Sequence, residues 1–208
     1  MVRFGVMWFL NYRTLIDPLL KDLRAFVAEF AGMNPGDRVL DVCCGTGAQV
    51  LEYGRRGIIT TGIDINPVML RMARQSVAEE NLDYVSFQLA DAAKLPFRDN
   101  YFDHVSISFG LHDKVSSVRF RVVSEMKRVV KQQGTIILID FQVPLPGNAW
   151  AMLARSIEFM IDGSHYAGFK DYLSSGGIPR ILEIHNLQEK QRAHLKSGLV
   201  AIVKTKRM

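Results

Sequence analysis

Val39–Val50 reads VLDVCCGTGAQV, a short apolar strand, a tight glycine turn and the opening of a helix. At Gly45 and Gly47 a Cβ would obstruct a ligand lying against the turn, so the glycines let the backbone come close to one. The next apolar run, TTGIDI, ends on Asp64, seventeen residues after Gly47. A carboxylate at the C-terminal end of a neighbouring strand can accept both hydroxyls of a ribose. Together they read as a nucleoside site. A nicotinamide-binding G-x-G-x-x-G turn is a poor match, because counting from Gly45 the third glycine's place is held by Val50.

The 208 residues fit one domain with a full core. With 48% hydrophobic and 23% charged residues the composition is that of a globular chain, which sets aside disordered and fibrous classes. No apolar run reaches the roughly 20 residues that span a bilayer, and FGVMWFL near the start is interrupted by Asn11 and Arg13. The two cysteines, Cys43 and Cys44, are adjacent. A vicinal pair supplies neither a disulfide framework nor the four ligands of a structural zinc site, so a reduced cytoplasmic protein without a metal is expected. The net charge of +5 is spread among 21 acids, with denser basic stretches at Arg119–Lys131 and in the tail. It reads as solubility charge on helix faces rather than a nucleic-acid surface.

Along the chain, residues 1 to 13 carry Phe4, Trp8, Phe9 and Tyr12 without a clear period, as a segment lying over something apolar would. Asp17-Pro18 starts an amphipathic helix over about 17 to 31, with Leu19, Leu23, Phe26 and Phe30 at helical spacing. Strand one is 38 to 43, a helix runs from Ala48 to Arg56, strand two is Ile58–Asp64, and Asn66-Pro67 opens a helix over Val68–Glu80. Strand three is Tyr84–Leu89 and strand four is His104–Ser108. A helix over Ser116–Lys131 then ends at a turn made by Gln132, Gln133 and Gly134. Strand five, Thr135–Phe141, is a near-continuous apolar run, the pattern of a strand buried on both faces. Ala149–Ile161 is a helix with Trp150, Leu153, Ile157 and Met160 on one face. An insertion at 162 to 180 carries a helix near Phe169–Ser175, stopped by Gly176-Gly177. Ile181–Leu187 and Leu199–Lys204 read as strands joined by the basic loop QEKQRAHLKSG.

The ordered series VLDVCCGTG, GIDINPVML, LADAAKLPF and FDHVSISFGLHD resembles the successive motifs of class I S-adenosylmethionine-dependent methyltransferases. The likeness spans roughly residues 35 to 204 and is strongest to the small-molecule branch with the ubiquinone and menaquinone biosynthesis C-methyltransferases. HYAGFKDYLSSGG is similar to a segment of that branch. The resemblance implies an α/β fold with a seven-stranded, mostly parallel sheet, the last strand antiparallel, and helices on both faces. It divides the domain into a flanking or lid helix at 1–33, a cofactor-binding half at 34–141 and a substrate-side half at 142–208. It assigns S-adenosylmethionine to Asp41, Cys43, Gly45, Thr46, Gly47, Asp64, Ile65, Asp91, Ala92 and Phe109, with Asp41 near the methionine amino group and Asp91 near the adenine amine. Cys43 stands where the family usually has its first turn glycine, so a slightly altered turn is expected, with binding kept.

Methyl transfer from a sulfonium needs donor and acceptor held in line more than it needs dedicated catalytic groups. His112 follows strand four, outside the carboxyl ends of the strands where parallel sheets bind ligands. With an ordinary pKa of about 6.5, it is the best-placed general base for an acceptor that loses a proton. His165 and Tyr166 are further candidates, as lid residues meeting the acceptor. His185 and His194 read as strand and loop residues. Carbon, nitrogen and oxygen acceptors share this fold and stay open, as do the oligomeric state and whether residues 1 to 13 close over the ligand or touch a membrane surface. The expected acceptor is a quinone precursor, phospholipid headgroup or sterol-like ring. The alternatives are an RNA or protein methyltransferase, favoured by the basic balance but lacking an N-P-P-[YF] motif where the chain has SFGLHD, and a cofactor-binding partner without turnover.

Overall fold

The structure, a computed structural model, describes residues 20–161 and 163–207. The aromatic segment at 1 to 13 and the Asp17-Pro18 helix start lie outside those residues. Helix α1 (Lys21–Ala31) buries Leu23, Val27 and Phe30 against the core. There follow β1 (Arg38–Val42), α2 (Ala48–Gly54), β2 (Ile59–Asp64), α3 (Pro67–Glu80), β3 (Val85–Leu89), β4 (Phe102–Ser108), α4 (Ser116–Val129) and β5 (Val130–Phe141). Helices α5 (Ala149–Ile161), α6 (Gly163–Ser174) and α7 (Gly177–Ile184) precede β6 (Leu187–Leu195) and β7 (Val200–Arg207).

The strands form one sheet in the order β3-β2-β1-β4-β5-β7-β6. All pairs from β3 to β5 are parallel, and β7 runs antiparallel to both β5 and β6. The last strand alone is therefore reversed, as the resemblance implies. The core lies on the central strands: Val39, Leu40, Val105, Ile107 and Ile136 to Ile139 are fully buried. After β1 the chain steps outward through β2 and β3, then returns to place β4 on the other side of β1. That reversal leaves a crevice beyond the carboxyl ends of β1 and β4. Asn66, predicted to open a helix, caps α3: its Oδ1 accepts from the Val68 amide at 2.9 Å, with Pro67 in the first turn.

Four local expectations are corrected. The turn read at Gln132 to Gly134 lies inside β5, which starts at Val130 opposite Phe102 and shifts register before His104 pairs with Thr135. Gly134 permits this approach, since a Cβ there would sit 2.6 Å from the Asp103 carbonyl oxygen. Helix α6 begins at Gly163, well before Phe169. Ile181–Leu187 is no strand: Ile178, Ile181 and Leu182 share the buried face of α7. The strand is instead QEKQRAHL, read as a basic loop. It lies at the sheet edge, where a charged, mostly exposed strand discourages pairing with another chain. On α5 the buried seam is Ala151, Ala154 and Glu158, while Leu153 and Met160 of the apolar stripe face outward.

One buried cation fixes the loop that follows β4 to the later helices. Arg119, 4% exposed, donates to the carbonyls of Leu111 and Lys114 and to Asp171 and Ser175 of the α6 end, with its guanidinium over the Tyr172 ring. Tyr172 in turn donates to the Phe141 carbonyl at 2.8 Å. These contacts hold residues 109–113 against α6.

Candidate active site

A cleft of about 380 Å³ opens at the crevice between the ends of β1, β2 and β4. Asp41, Cys43, Gly45, Thr46, Asp64, Ile65, Asp91, Ala92 and Phe109 all line it. Of the residues assigned to the cofactor from sequence, Gly47 alone does not. Asp64 secures the turn: its Oδ2 accepts from the Gly45 amide at 2.9 Å and its Oδ1 from the Asn66 amide at 2.8 Å. Each oxygen retains acceptor capacity for a hydroxyl. Asp91 is exposed at the cleft edge, and its Oδ1 accepts from the Ala93 amide at 2.8 Å, which holds that loop in place. Carboxylates for hydroxyls and amine, an apolar floor and a glycine backbone fit an adenosine with a charged tail.

The two turn glycines have different duties. Both have left-handed backbones, φ +54° at Gly45 and +76° at Gly47. A Cβ on Gly45 would meet nothing within 4 Å and would project into open space at the cleft. A Cβ on Gly47 would lie 2.7 Å from the Phe87 ring and 2.9 Å from the Ala73 methyl, so Gly47 serves packing of α2 rather than ligand approach. Gly47→Ala is therefore expected to lose about 2–4 kcal/mol of stability from overpacking and left-handed strain. Gly45→Ala shares the left-handed strain but not the overpacking, so it should lose only about 1–2 kcal/mol of stability yet bind S-adenosylmethionine about tenfold more weakly or worse. Thermal melts with calorimetric titration separate the two; equal behaviour of the variants would contradict the assignment. Cys43 adopts φ +58°, so the position favours the glycine it replaces.

Burial sets the charges in the cleft. Asp41 is 2% exposed, and desolvation pushes its carboxyl up to about 7 despite a 2.6 Å hydrogen bond donated by Ser106. It faces the cleft ready to ionise against a cation. Burial likewise pushes the Cys43 thiol up to about 12 and the Cys44 thiol well above its ordinary value, so neither is a thiolate nucleophile near neutrality.

His112 does not line the cleft. It is 3% exposed and lies behind Phe109, whose ring centroid is 6.3 Å from its own. Its Nδ1 is 2.7 Å from Asp140 Oδ1, and its Nε2 is 3.6 Å from Glu158 Oε2. Glu158 Oε2 also lies 2.7 Å from His165 Nε2. The sequence candidates His112 and His165 are thus brought together, with ring centroids 5.5 Å apart, by Glu158, while Asp140 holds the far side of His112; the sequence reading passed over both acids. Burial alone would lower the His112 pKa, but the Asp140 carboxylate, through charge and hydrogen bond, and then Glu158 raise it above the ordinary value. Phe141, Phe169 and Tyr172 complete the wall around the imidazole. Tyr166 stands beside the cluster, its ring edge-on to Phe159 at 5.3 Å.

Asp140 and Glu158 both left a trace in the sequence. Asp140 is the acid near the carboxyl end of the otherwise apolar strand five, and Glu158 is the one acid of AWAMLARSIEFMI, seven residues before His165. His185 follows α7 and His194 lies in β6, His194 at 3.0 Å from the Gln142 side chain. The basic stretch Arg119–Lys131 is engaged within the molecule: Arg119 with Asp171, Arg128 with Glu125 and Asp99, Lys131 with Asp103.

The family described as "Methyltransferase domain" matches residues 40–138. The ubiquinone/menaquinone biosynthesis C-methyltransferase UbiE of Citrifermentans bemidjiense is 34% identical over 125 residues, which are 58% of this chain and 52% of that protein. UbiE of Pseudomonas aeruginosa is 36% identical over 126 residues, 58% of this chain and 48% of that one. The chain spans about half the length of these relatives. A solved S-adenosylmethionine-dependent methyltransferase from Aquifex aeolicus superposes with a TM-score of 0.72 at 20% identity, covering 95% of this chain and 97% of that one. The [4+2]-cyclase SpnF superposes with a TM-score of 0.60 at 21% identity, over 90% and 81% of the two chains. These two likenesses show the fold, which by itself does not fix the reaction.

Proposed function

We propose that the chain is a class I S-adenosylmethionine-dependent methyltransferase that methylates a small apolar acceptor of the quinone-precursor or lipid-like class, at carbon. The observation that carries this reading is the junction of a carboxylate-lined nucleoside cleft with an aromatic-walled imidazole–carboxylate cluster, Phe109 forming the partition between them. The likeness to the UbiE enzymes supports the same acceptor class.

The bound cofactor supplies an electrophilic methyl on a sulfonium. The chain's own work is to hold it and to shape the acceptor side. Asp64, held in place by the Gly45 amide, would grip the ribose end, Asp41 the cationic tail, and the loop at Asp91-Ala92 the base. Alignment of reactants in such a site can contribute about 7–11 kcal/mol, so few further groups are required. His165 and Tyr166 would contact the acceptor, and His112, braced by Asp140, would favour its ionised form. Met152, Leu153, Phe159 and Met160 on α5 are exposed, which would let an apolar acceptor arrive from a membrane surface. Among the described residues no helix is long and apolar enough to cross a membrane, and we take the enzyme to act from the cytoplasm.

The purified full chain, given cofactor labelled in the methyl group and a short-chain isoprenoid hydroquinone lacking its ring methyl, should transfer label to the organic phase. Cofactor binding with no label in that acceptor or in a lipid extract would overturn the acceptor class. Label in RNA or protein under the same conditions would favour the alternative substrates instead.

A further inference from the structure

The cluster behind Phe109 draws one side chain from each of three separate elements. His112 comes from the loop after β4, Glu158 from α5 and His165 from α6. Each offers one ligand atom, and these atoms all lie within 4.8 Å of one another. Ligands at about 2.0–2.2 Å from a common cation stand up to about 4.3 Å apart. The 3.6 Å between His112 and Glu158 fits without change. The 2.7 Å between Glu158 and His165 needs to open by several tenths of an ångström, within the reach of a rotamer adjustment.

Two further features favour a cation here. Asp140 binds the Nδ1 side of His112, which leaves Nε2 facing Glu158. That is the carboxylate–histidine order that orients metal-ligating imidazoles. Secondly, the side chains of Asp140 and Glu158 are 0% and 7% exposed, two carboxylates among aromatic rings. One divalent cation would neutralise both. We propose that His112, Glu158 and His165 bind one divalent transition-metal cation of the Zn²⁺ or Fe²⁺ class, with Asp140 orienting His112. Two imidazoles and one carboxylate suit borderline cations and leave coordination positions open. His165 is the most exposed of the three, with a side chain 22% accessible, and marks the entry. An ionised oxygen of the acceptor could take an open position; that use rests on the methyl-transfer reading, while binding of the cation does not.

The full chain, stripped with a chelator, should take up one equivalent of Co²⁺ and develop the visible ligand-field bands of a low-coordinate nitrogen–oxygen centre, with Zn²⁺ displacing it. His165→Ala and Glu158→Gln should each weaken Co²⁺ binding at least about 100-fold, and Asp140→Asn about 10- to 100-fold. Neither His165 nor Glu158 lines the cofactor cleft, so retained S-adenosylmethionine binding in their variants shows that the fold is intact. Uptake well below one equivalent, or equal uptake by the parent and the His165 and Glu158 variants, overturns the site. Cation uptake without methyl transfer to any acceptor would refute the methyl-transfer reading and leave the site standing; transfer by cation-free protein unable to take up Co²⁺ would do the reverse.

Discussion

Asp64→Ala is expected to raise the dissociation constant for S-adenosylmethionine by about two to four orders of magnitude. The carboxylate does two jobs at once. Its Oδ2 accepts from the Gly45 amide and its Oδ1 from the Asn66 amide, so it fixes both the glycine turn and the entry to α3. It also lines the cleft, where the proposed reading has it accept the ribose hydroxyls. Hydrogen bonds to a charged group contribute about 1.5–3 kcal/mol each. Two lost to the ribose, about 3–6 kcal/mol, correspond to that range at about 1.4 kcal/mol per tenfold. Fold stability should fall far less, because Asp64 is half-buried and the Gly45 amide, once released, faces a solvent-filled cleft. Asp64→Asn keeps one carbonyl oxygen and should fall between parent and alanine variant. Isothermal titration with the cofactor and its demethylated product provides the measurement; a constant within threefold of the parent in Asp64→Ala would remove Asp64 from the site.

The cofactor half was legible because its residues are local. One turn places Asp41, Cys43, Gly45 and Thr46 together, and Asp64 and Asp91 follow at the ends of the next two strands, so linear spacing already encodes a shared rim. Gly47 shows where that logic fails: sequence makes it a ligand glycine, while Phe87 and Ala73, distant in the chain, make it a packing glycine. Beyond residue 141 the pattern loses force. The edge strand β6 carries so many charged residues that it imitates a loop, and the short helix α7 is so apolar that it imitates a strand. Tertiary surroundings decide both cases, through the exposed sheet edge for one and the buried seam for the other. The cluster behind Phe109 was half legible. His112 and His165 stood out as rare titratable groups, but Glu158, which joins them, comes from α5, and nothing local relates Asp140 of β5 to His112.

Asp140 should therefore be the most costly side chain of the cluster to remove. It is fully buried and accepts from the Leu111 and His112 amides at 3.1 and 3.2 Å, from the Phe141 amide at 2.8 Å, and faces His112 Nδ1 at 2.7 Å. In Asp140→Ala those donors stay buried without an acceptor, and breaking such a buried pair costs about 3–5 kcal/mol. For a chain of this length each kcal/mol is worth about 2–4 °C of melting temperature, so a fall of about 6–20 °C is expected. Asp140→Asn should recover part of it, because its carbonyl oxygen still serves the Leu111 and His112 amides, while its NH₂ opposes an Nδ1–H and forces the imidazole into its other tautomer. The same substitution reaches the cofactor. Leu111 follows Phe109 and Gly110, which line the cleft, so releasing its amide loosens that wall and should weaken S-adenosylmethionine binding in the alanine variant more than in the asparagine one. Thermal melts and calorimetric titrations of both variants decide this. If alanine melts within about 1 kcal/mol of the parent, the carboxylate is not what holds the 109–113 loop, and the orientation of His112 must come from the aromatic rings around it.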